Sequence, residues 1–294
     1  MVIFHHIKLN IEKTLIIPNG KIVKVDNDDF HVYTQGAKNE KPAIVIMSGS
    51  SIPSPVYNYK KLYDKLSDDF RIVVPEKFGY GYSDITNFKR DLETVLEQTR
   101  KALLLAGEKP PYILMPHSMS GIEAQLWAYK YPNEIHSIIG LDMALPYHYE
   151  RMKLGALSHT YRILFFIVIN LGLQRIPLVQ KAANMYDKPF LSPEDWEQEK
   201  YLIAKTTLNK NIAQESATIL DDAIRVKNNG ALNIPMLLFV SDGKIQKHWI
   251  DDYKKFMLQE QKAELIELDC GHMMHNYCSD VIVSKTKHWL SYHL

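Results

Sequence analysis

Cysteine is nearly missing: Cys270 and Cys278 are the two in 294 residues. Two thiols make no disulfide framework, which predicts a reducing compartment, the cytoplasm. Met1 to Lys13 lacks the basic region, apolar core and small-residue cleavage site of a secretory leader, and this agrees with that expectation. An excess of one charge is missing too. Lys and Arg total 35 against 34 Asp and Glu, a formal net charge of +1, so no basic face for nucleic acid is expected. The longest apolar run, Ile163 to Leu173, is too short for a bilayer, which needs about 20 residues, so no stable membrane span is expected. The chain carries no CxxC, no HExxH and no Walker-type glycine loop. Gly79-Tyr80-Gly81 lacks the third glycine of a dinucleotide fingerprint. Neither a metal nor an organic cofactor is expected.

What is present fits a large core. Hydrophobic residues make up 46% and charged residues 23%, and the length suits one α/β domain carrying an insertion. Lys21 to Tyr33 alternates apolar and polar residues around Asn27-Asp28-Asp29, which predicts an antiparallel hairpin. Six continuous apolar runs follow: Ala43 to Met47, Phe70 to Val74, Tyr112 to Met115, Ser137 to Leu141, Met236 to Val240 and Ala263 to Leu268. Such runs suit strands buried on both faces of a parallel sheet. Helical patterns separate them, at Tyr57 to Leu66, Asp91 to Ala106, Ile122 to Tyr131, His248 to Leu258 and Val281 to Tyr292. The alternation predicts a doubly wound, mostly parallel α/β sheet. It stops after Leu141 and resumes at Met236. Residues 1–142 and 234–294 are therefore expected to form the core, and 143–233 an inserted helical cap.

One segment carries the chemistry. Ile113-Leu114-Met115-Pro116 ends abruptly in His117-Ser118-Met119-Ser120-Gly121, and a helical pattern follows. A serine on a sharp strand-to-helix turn is lifted above the sheet as a nucleophile. Pro116 and Ser120 stand where glycines are usual in such a turn. The base candidate is His272, in the loop opened by Gly271 after the last apolar strand; His275 is the reserve, expected instead to pack locally. Among 12 histidines, His272 alone follows that strand directly, at the carboxyl edge where open α/β sheets bind ligands. Two aspartates end strands on this edge, Asp142 and Asp242, and either preserves the chain order serine, acid, histidine. Oxyanion donors are expected from the Ser50 and Met119 backbone N–H groups, the first in Ser48-Gly49-Ser50-Ser51 after an apolar strand. Position 118 is not the aspartate that dehalogenase or epoxide hydrolase chemistry needs.

With these segments in order, the chain resembles the α/β-hydrolase superfamily over nearly its whole length. Ser48-Gly49-Ser50 is similar to the oxyanion loop, with serine for its usual histidine. Glu76 to Asp84, through Gly79-Tyr80-Gly81-Tyr82-Ser83, is similar to the glycine–serine loop after the next strand. His117 to Gly121 is similar to the nucleophile elbow, and Gly271-His272-Met273 to the histidine loop. The series looks like that of uncharacterised serine hydrolases of low-GC Gram-positive bacteria. In most members the acid follows the strand matching Met236 to Val240, near Lys244, which Asp242 precedes by two residues. A second group carries it after the preceding strand, roughly two dozen residues beyond the nucleophile, where Asp142 stands. The resemblance thus favours Asp142 and leaves Asp242 as the alternative.

The expected function is hydrolysis of ester-like or amide acyl bonds in a small, partly apolar substrate, through an acyl-enzyme. Tyr161 to Val179, apolar on most faces, is expected to pack over the sheet or to line an acyl pocket, with transient lipid contact open to it. Two other readings stand beside this one. Cap glutamates Glu194, Glu197 and Glu199 leave room for an aminopeptidase clamp, and the irregular elbow for a non-catalytic small-molecule receptor on the same scaffold.

Overall fold

The computed structural model describes residues 2–150, 171–176, 178 and 188–294. Most of Tyr161 to Val179 therefore lies outside the described residues.

Eight strands form one sheet: β1 Lys21–Val25, β2 Asp28–Gln35, β3 Ala43–Met47, β4 Ile72–Glu76, β5 Tyr112–Pro116, β6 Ile135–Leu141, β7 Met236–Val240 and β8 Ala263–Glu267. Their spatial order is β1-β2-β4-β3-β5-β6-β7-β8. The hairpin β1–β2 is antiparallel and β2 runs antiparallel to β4; all other pairs are parallel. Every residue of β3, β4, β5 and β7 is buried, as continuous apolar runs require. β4 extends to Glu76, past the apolar run, because Pro75 and Glu76 still pair with β2.

Among the described residues the helices are α1 Val2–Lys13, α2 Pro55–Asn58, α3 Lys60–Leu66, α4 Leu92–Leu105, α5 Ser120–Lys130, α6 Pro146–Glu150, α7 Pro193–Thr206, α8 Lys210–Lys227, α9 Trp249–Met257, α10 Met274–Tyr277 and α11 Ser279–His293. Successive side chains of β3 feed opposite cores. Val45 and Met47 face the cluster with Leu96 and Leu103 of α4, Trp127 of α5 and Tyr253 of α9. Ile44 and Ile46 face the other, with Leu62 of α3 and Trp289 and Leu290 of α11. Helices on both faces make the doubly wound arrangement that the sequence predicts. Helix α1 is inverted: His5 and Glu12 are buried, while Ile3, Phe4, Ile7 and Ile11 face out. Its inner face is held by polar bonds, with Arg175 donating to both carboxylate oxygens of Glu12 at 2.6 Å.

Between β6 and β7 the described residues form helices and loops and no strand. Polar bonds tie α7 and α8 to the loop after β4. Lys205 Nζ donates to the carbonyls of Gly81, Tyr82 and Ser83 at 3.1, 3.1 and 2.8 Å. Asn211 accepts from the Thr86 N–H and donates to the Thr86 carbonyl, both at 2.9 Å. Glu215 accepts from Tyr80 Oη at 2.7 Å and from Arg90 Nε at 3.0 Å, with all three side chains buried. Charges this deep are tolerated only when paired. Removing one partner leaves the other uncompensated, so Arg90→Met should lower the unfolding free energy by about 3–5 kcal/mol. Urea denaturation measures this; a loss below about 1 kcal/mol, the worth of a surface pair, would show that the network contributes little.

Candidate active site

The elbow forms because only His117, Ser118 and Met119 separate β5 from α5. The final residue of β5 pairs with Met47, and the His117 N–H continues the ladder to the Met47 carbonyl at 3.0 Å. The chain then reverses at Ser118, whose φ of +55° lies in the left-handed region that non-glycine residues seldom occupy. Its carbonyl accepts the Ala144 N–H at 2.7 Å and the Gly121 N–H at 2.9 Å. Ser120, at a usual glycine position, is buried: its hydroxyl donates toward the Met47 carbonyl at 2.7 Å and accepts the His117 N–H at 3.0 Å. The close approach comes one residue later, where a Cβ on Gly121 would strike the Ala144 carbonyl oxygen. Pro116 has no N–H to donate, and the bonding to β3 resumes at His117.

The loop after β3 lies directly on this turn. A Cβ at Gly49 would stand 2.9 Å from Ser118 Cβ and 3.0 Å from His117 Nδ1, so only glycine fits. Next along the loop is Ser50, half-buried as Ser118 and Met119 are. Among the described residues the Ser50 and Met119 N–H groups have no hydrogen-bond acceptor.

His272 and Asp142 meet. His272 Nδ1 is 2.6 Å from Asp142 Oδ2. Asp142 directly follows β6 with φ +45° and is fully buried. Its other oxygen accepts from Trp249 Nε1 at 2.7 Å and from the Ser241 N–H at 2.9 Å. Burial alone would push this carboxyl up. The His272 bond and charge, with the Ser241 bonds, outweigh it and hold the group below the usual carboxylate range. An ionised Asp142 only accepts, so His272 Nδ1 carries a proton, and Nε2 is the nitrogen that a neutral ring leaves free. The His272 ring lies with its centroid 4.7 Å from that of His117, the neighbour of Ser118.

Asp242 stands elsewhere. Its carboxylate takes the Lys244 ammonium at 2.7 Å and the Lys244 N–H at 3.1 Å, and this pairing holds it below its ordinary value. His275 packs over a long sequence separation, not locally: Nε2 is 2.6 Å from Asn58 Oδ1, and the ring lies 4.3 Å from that of Tyr59. Of the cap glutamates, Glu197 pairs with Lys200, and buried Glu199 with Lys188. Cys270 and Cys278 are free thiols, and burial with the neighbouring Cys278 pushes Cys270 up to about 12. Among the described residues no group of three His, Cys, Asp or Glu is placed to hold a metal ion, and no helix is long and apolar enough to cross a membrane.

The alpha/beta hydrolase fold family model matches residues 49–276. The chain belongs to this family. It is 38% identical over 288 residues to an uncharacterized protein of Bacillus subtilis, YbdG, covering 95% of this chain and 88% of the relative. It is 22% identical over 272 residues to a cis-3-alkyl-4-alkyloxetan-2-one decarboxylase of Shewanella oneidensis, covering 84% of this chain and 81% of that protein. Among solved structures, an epoxide hydrolase of Bacillus megaterium, bound to its product, is similar with a TM-score of 0.72 at 14% identity. That match covers 92% of this chain and 100% of the other.

Sequence reasoning missed Trp249, Ser241, Tyr59 and Asn58, whose bonds close over long sequence separations. No local pattern marks them. Two histidines of the site are buried. Desolvation, and then neighbouring histidine charge, holds His117 and His275 well below the ordinary value of 6.5. Below that pH the unfolded chain binds protons that the native rings refuse. Their contribution to stability is therefore complete above about pH 6.5 and is lost as pH falls toward the native values, at about 1.4 kcal/mol per pH unit per ring. His5 and His136, lowered mainly by burial, act in the same direction. Unfolding free energy measured from pH 7.5 to 5 should fall, and His275→Gln should reduce the slope by about one proton. A flat profile would mean that the rings are protonated in the native state.

Proposed function

We propose that the chain is a serine hydrolase of acyl bonds, acting on esters of small, partly apolar substrates. The observation that carries this is the 2.6 Å contact of His272 Nδ1 with the buried Asp142 carboxylate, beside a serine on a positive-φ turn. Asp142 fixes the His272 tautomer so that Nε2 is the base. Ser118 Oγ attacks the substrate carbonyl as Nε2 takes its proton. Charge on the carbonyl oxygen is met by the Ser50 and Met119 N–H groups. Collapse of the tetrahedral adduct expels the leaving group, protonated by His272, and leaves an acyl-serine. Water activated by Nε2 then attacks the acyl carbon and restores the serine.

Three observations favour this reading over its rivals. Asp142 is oriented on His272, whereas Asp242 is spent on Lys244. Glu197 and Glu199 are paired with lysines, which favours an ester over a peptide with a free amino end. The Shewanella relative is named for a dialkyl four-membered lactone, a cyclic ester with apolar arms. Residues 143–233 act as a cap that selects the substrate, with α7 and α8 fixed to the core by the Lys205, Asn211 and Glu215 bonds. Met143, Ala144 and Leu145, at its start, belong to the main core.

Turnover on p-nitrophenyl esters of graded length tests the assignment. Ser118→Ala should abolish it in a folded protein. Asp142→Asn should lower kcat by about 10⁴, because the tautomer is lost, and Asp242→Asn should leave it within about twofold. A large loss in Asp242→Asn alone would move the acid to that residue. Shortening the acyl chain should lower kcat/KM by about fourfold per methylene, the equivalent of about 0.8 kcal/mol. A flat length profile would remove the apolar pocket.

A further inference from the structure

Tyr59 and His117 are buried, uncharged and outside the chemistry just described. Three hydrogen bonds join them to two loops of the site. The Gly49 N–H donates to Tyr59 Oη at 3.3 Å. Tyr59 Oη is 2.9 Å from His117 Nδ1. His117 Nε2 is 3.1 Å from the His272 carbonyl oxygen.

Each link has one permitted direction. The His272 carbonyl oxygen can only accept, so the His117 proton must sit on Nε2. Burial keeps the ring neutral, so Nδ1 presents a lone pair. Tyr59 must therefore donate to Nδ1, since burial also keeps its hydroxyl protonated. The hydroxyl oxygen is then left to accept the Gly49 N–H. The donors run Gly49, Tyr59, His117, and the His272 carbonyl accepts at the end, without a mismatch.

We propose that Tyr59 and His117 are positioning residues: a one-way hydrogen-bond relay that sets the spacing between the Gly49–Ser50 loop and the His272 loop. The proposal rests on the hydrolase reading for its catalytic consequence, though not for its geometry. The relay passes through His117, the neighbour of Ser118, between the loop that meets the oxyanion and the loop that carries the base. Gly49 also touches His117 and Ser118 so closely that a displaced Tyr59 oxygen would be felt at the next residue, Ser50. A shift of about 1 Å in such donors can cost up to about a hundredfold in rate.

Tyr59→Phe removes one hydroxyl and keeps the ring. It should lower kcat on a p-nitrophenyl ester by about tenfold with KM within about twofold, in protein shown by circular dichroism to be fully folded. His117→Leu should lose a similar amount, and the double variant no more than the larger single loss, because both cut one chain. His117→Gln, whose amide can both accept and donate, should recover most of the rate. Hydrogen exchange at the Gly49 amide should quicken in Tyr59→Phe and in His117→Leu, and 15N spectra should show the His117 proton on Nε2. A merely structural role would lower stability while leaving kcat per folded molecule unchanged. That result, or additive losses in the double variant, or an unmoved Gly49 amide, would overturn the relay. The exchange and 15N readings need no turnover. If the wild type hydrolyses no ester, the hydrolase reading fails while the relay is still judged by these two measurements.

Discussion

The site depends on one buried negative charge. Asp142 lies at the end of β6 with no exposure to water, and an ion in that position must be fully compensated or it becomes protonated. Compensation comes from three segments distant in sequence: the Ser241 N–H after β7, the Trp249 indole at the start of α9, and the His272 ring after β8. Each donor fixes its segment relative to the sheet. The carboxylate therefore gathers the carboxyl ends of three neighbouring strands, and His272 takes its orientation from the same bond that keeps the charge buried.

The Ser118 turn is joined to that arrangement through backbone. Two residues beyond Asp142, the Ala144 N–H donates to the Ser118 carbonyl. The absence of a side chain at Gly121 lets the elbow sit against Ala144, and its absence at Gly49 lets the loop after β3 sit against Ser118. A left-handed serine costs of order 1 kcal/mol or more, and these bonds and contacts over-determine it. The Ser120 hydroxyl ties β3 to the turn with bonds that glycine lacks, so the departure from the usual pattern is a substitution of one packing solution for another.

Much of this was legible because it is local. β3 and β7 match their apolar runs residue for residue, since burial on both faces leaves no polar alternation to blur them. Ser118, His272 and Asp142 could be named as candidates because each ends or follows such a strand. What was not legible is non-local or inverted. Asn58 and Tyr59 read as ordinary members of one helical pattern, yet the chain breaks there into α2 and α3 and sends both side chains to histidines far along the sequence. Trp249 reads as the apolar side of a helix, and nothing nearby signals that its indole meets a carboxylate. Helix α1 was not read from the sequence; its buried residues are polar and its apolar ones face outward. The residues alone left the two aspartates open and the resemblance favoured Asp142; their partners differ, a histidine and an indole for Asp142 and its own neighbour Lys244 for Asp242.

The most direct measurement is reaction of the folded wild-type protein with a fluorophosphonate, followed by peptide mass mapping. The account predicts stoichiometric labelling confined to Ser118, because only an oriented imidazole makes that hydroxyl a nucleophile. A well-folded protein that takes no label, or takes it on another residue, would contradict the account and leave the scaffold as a binding module.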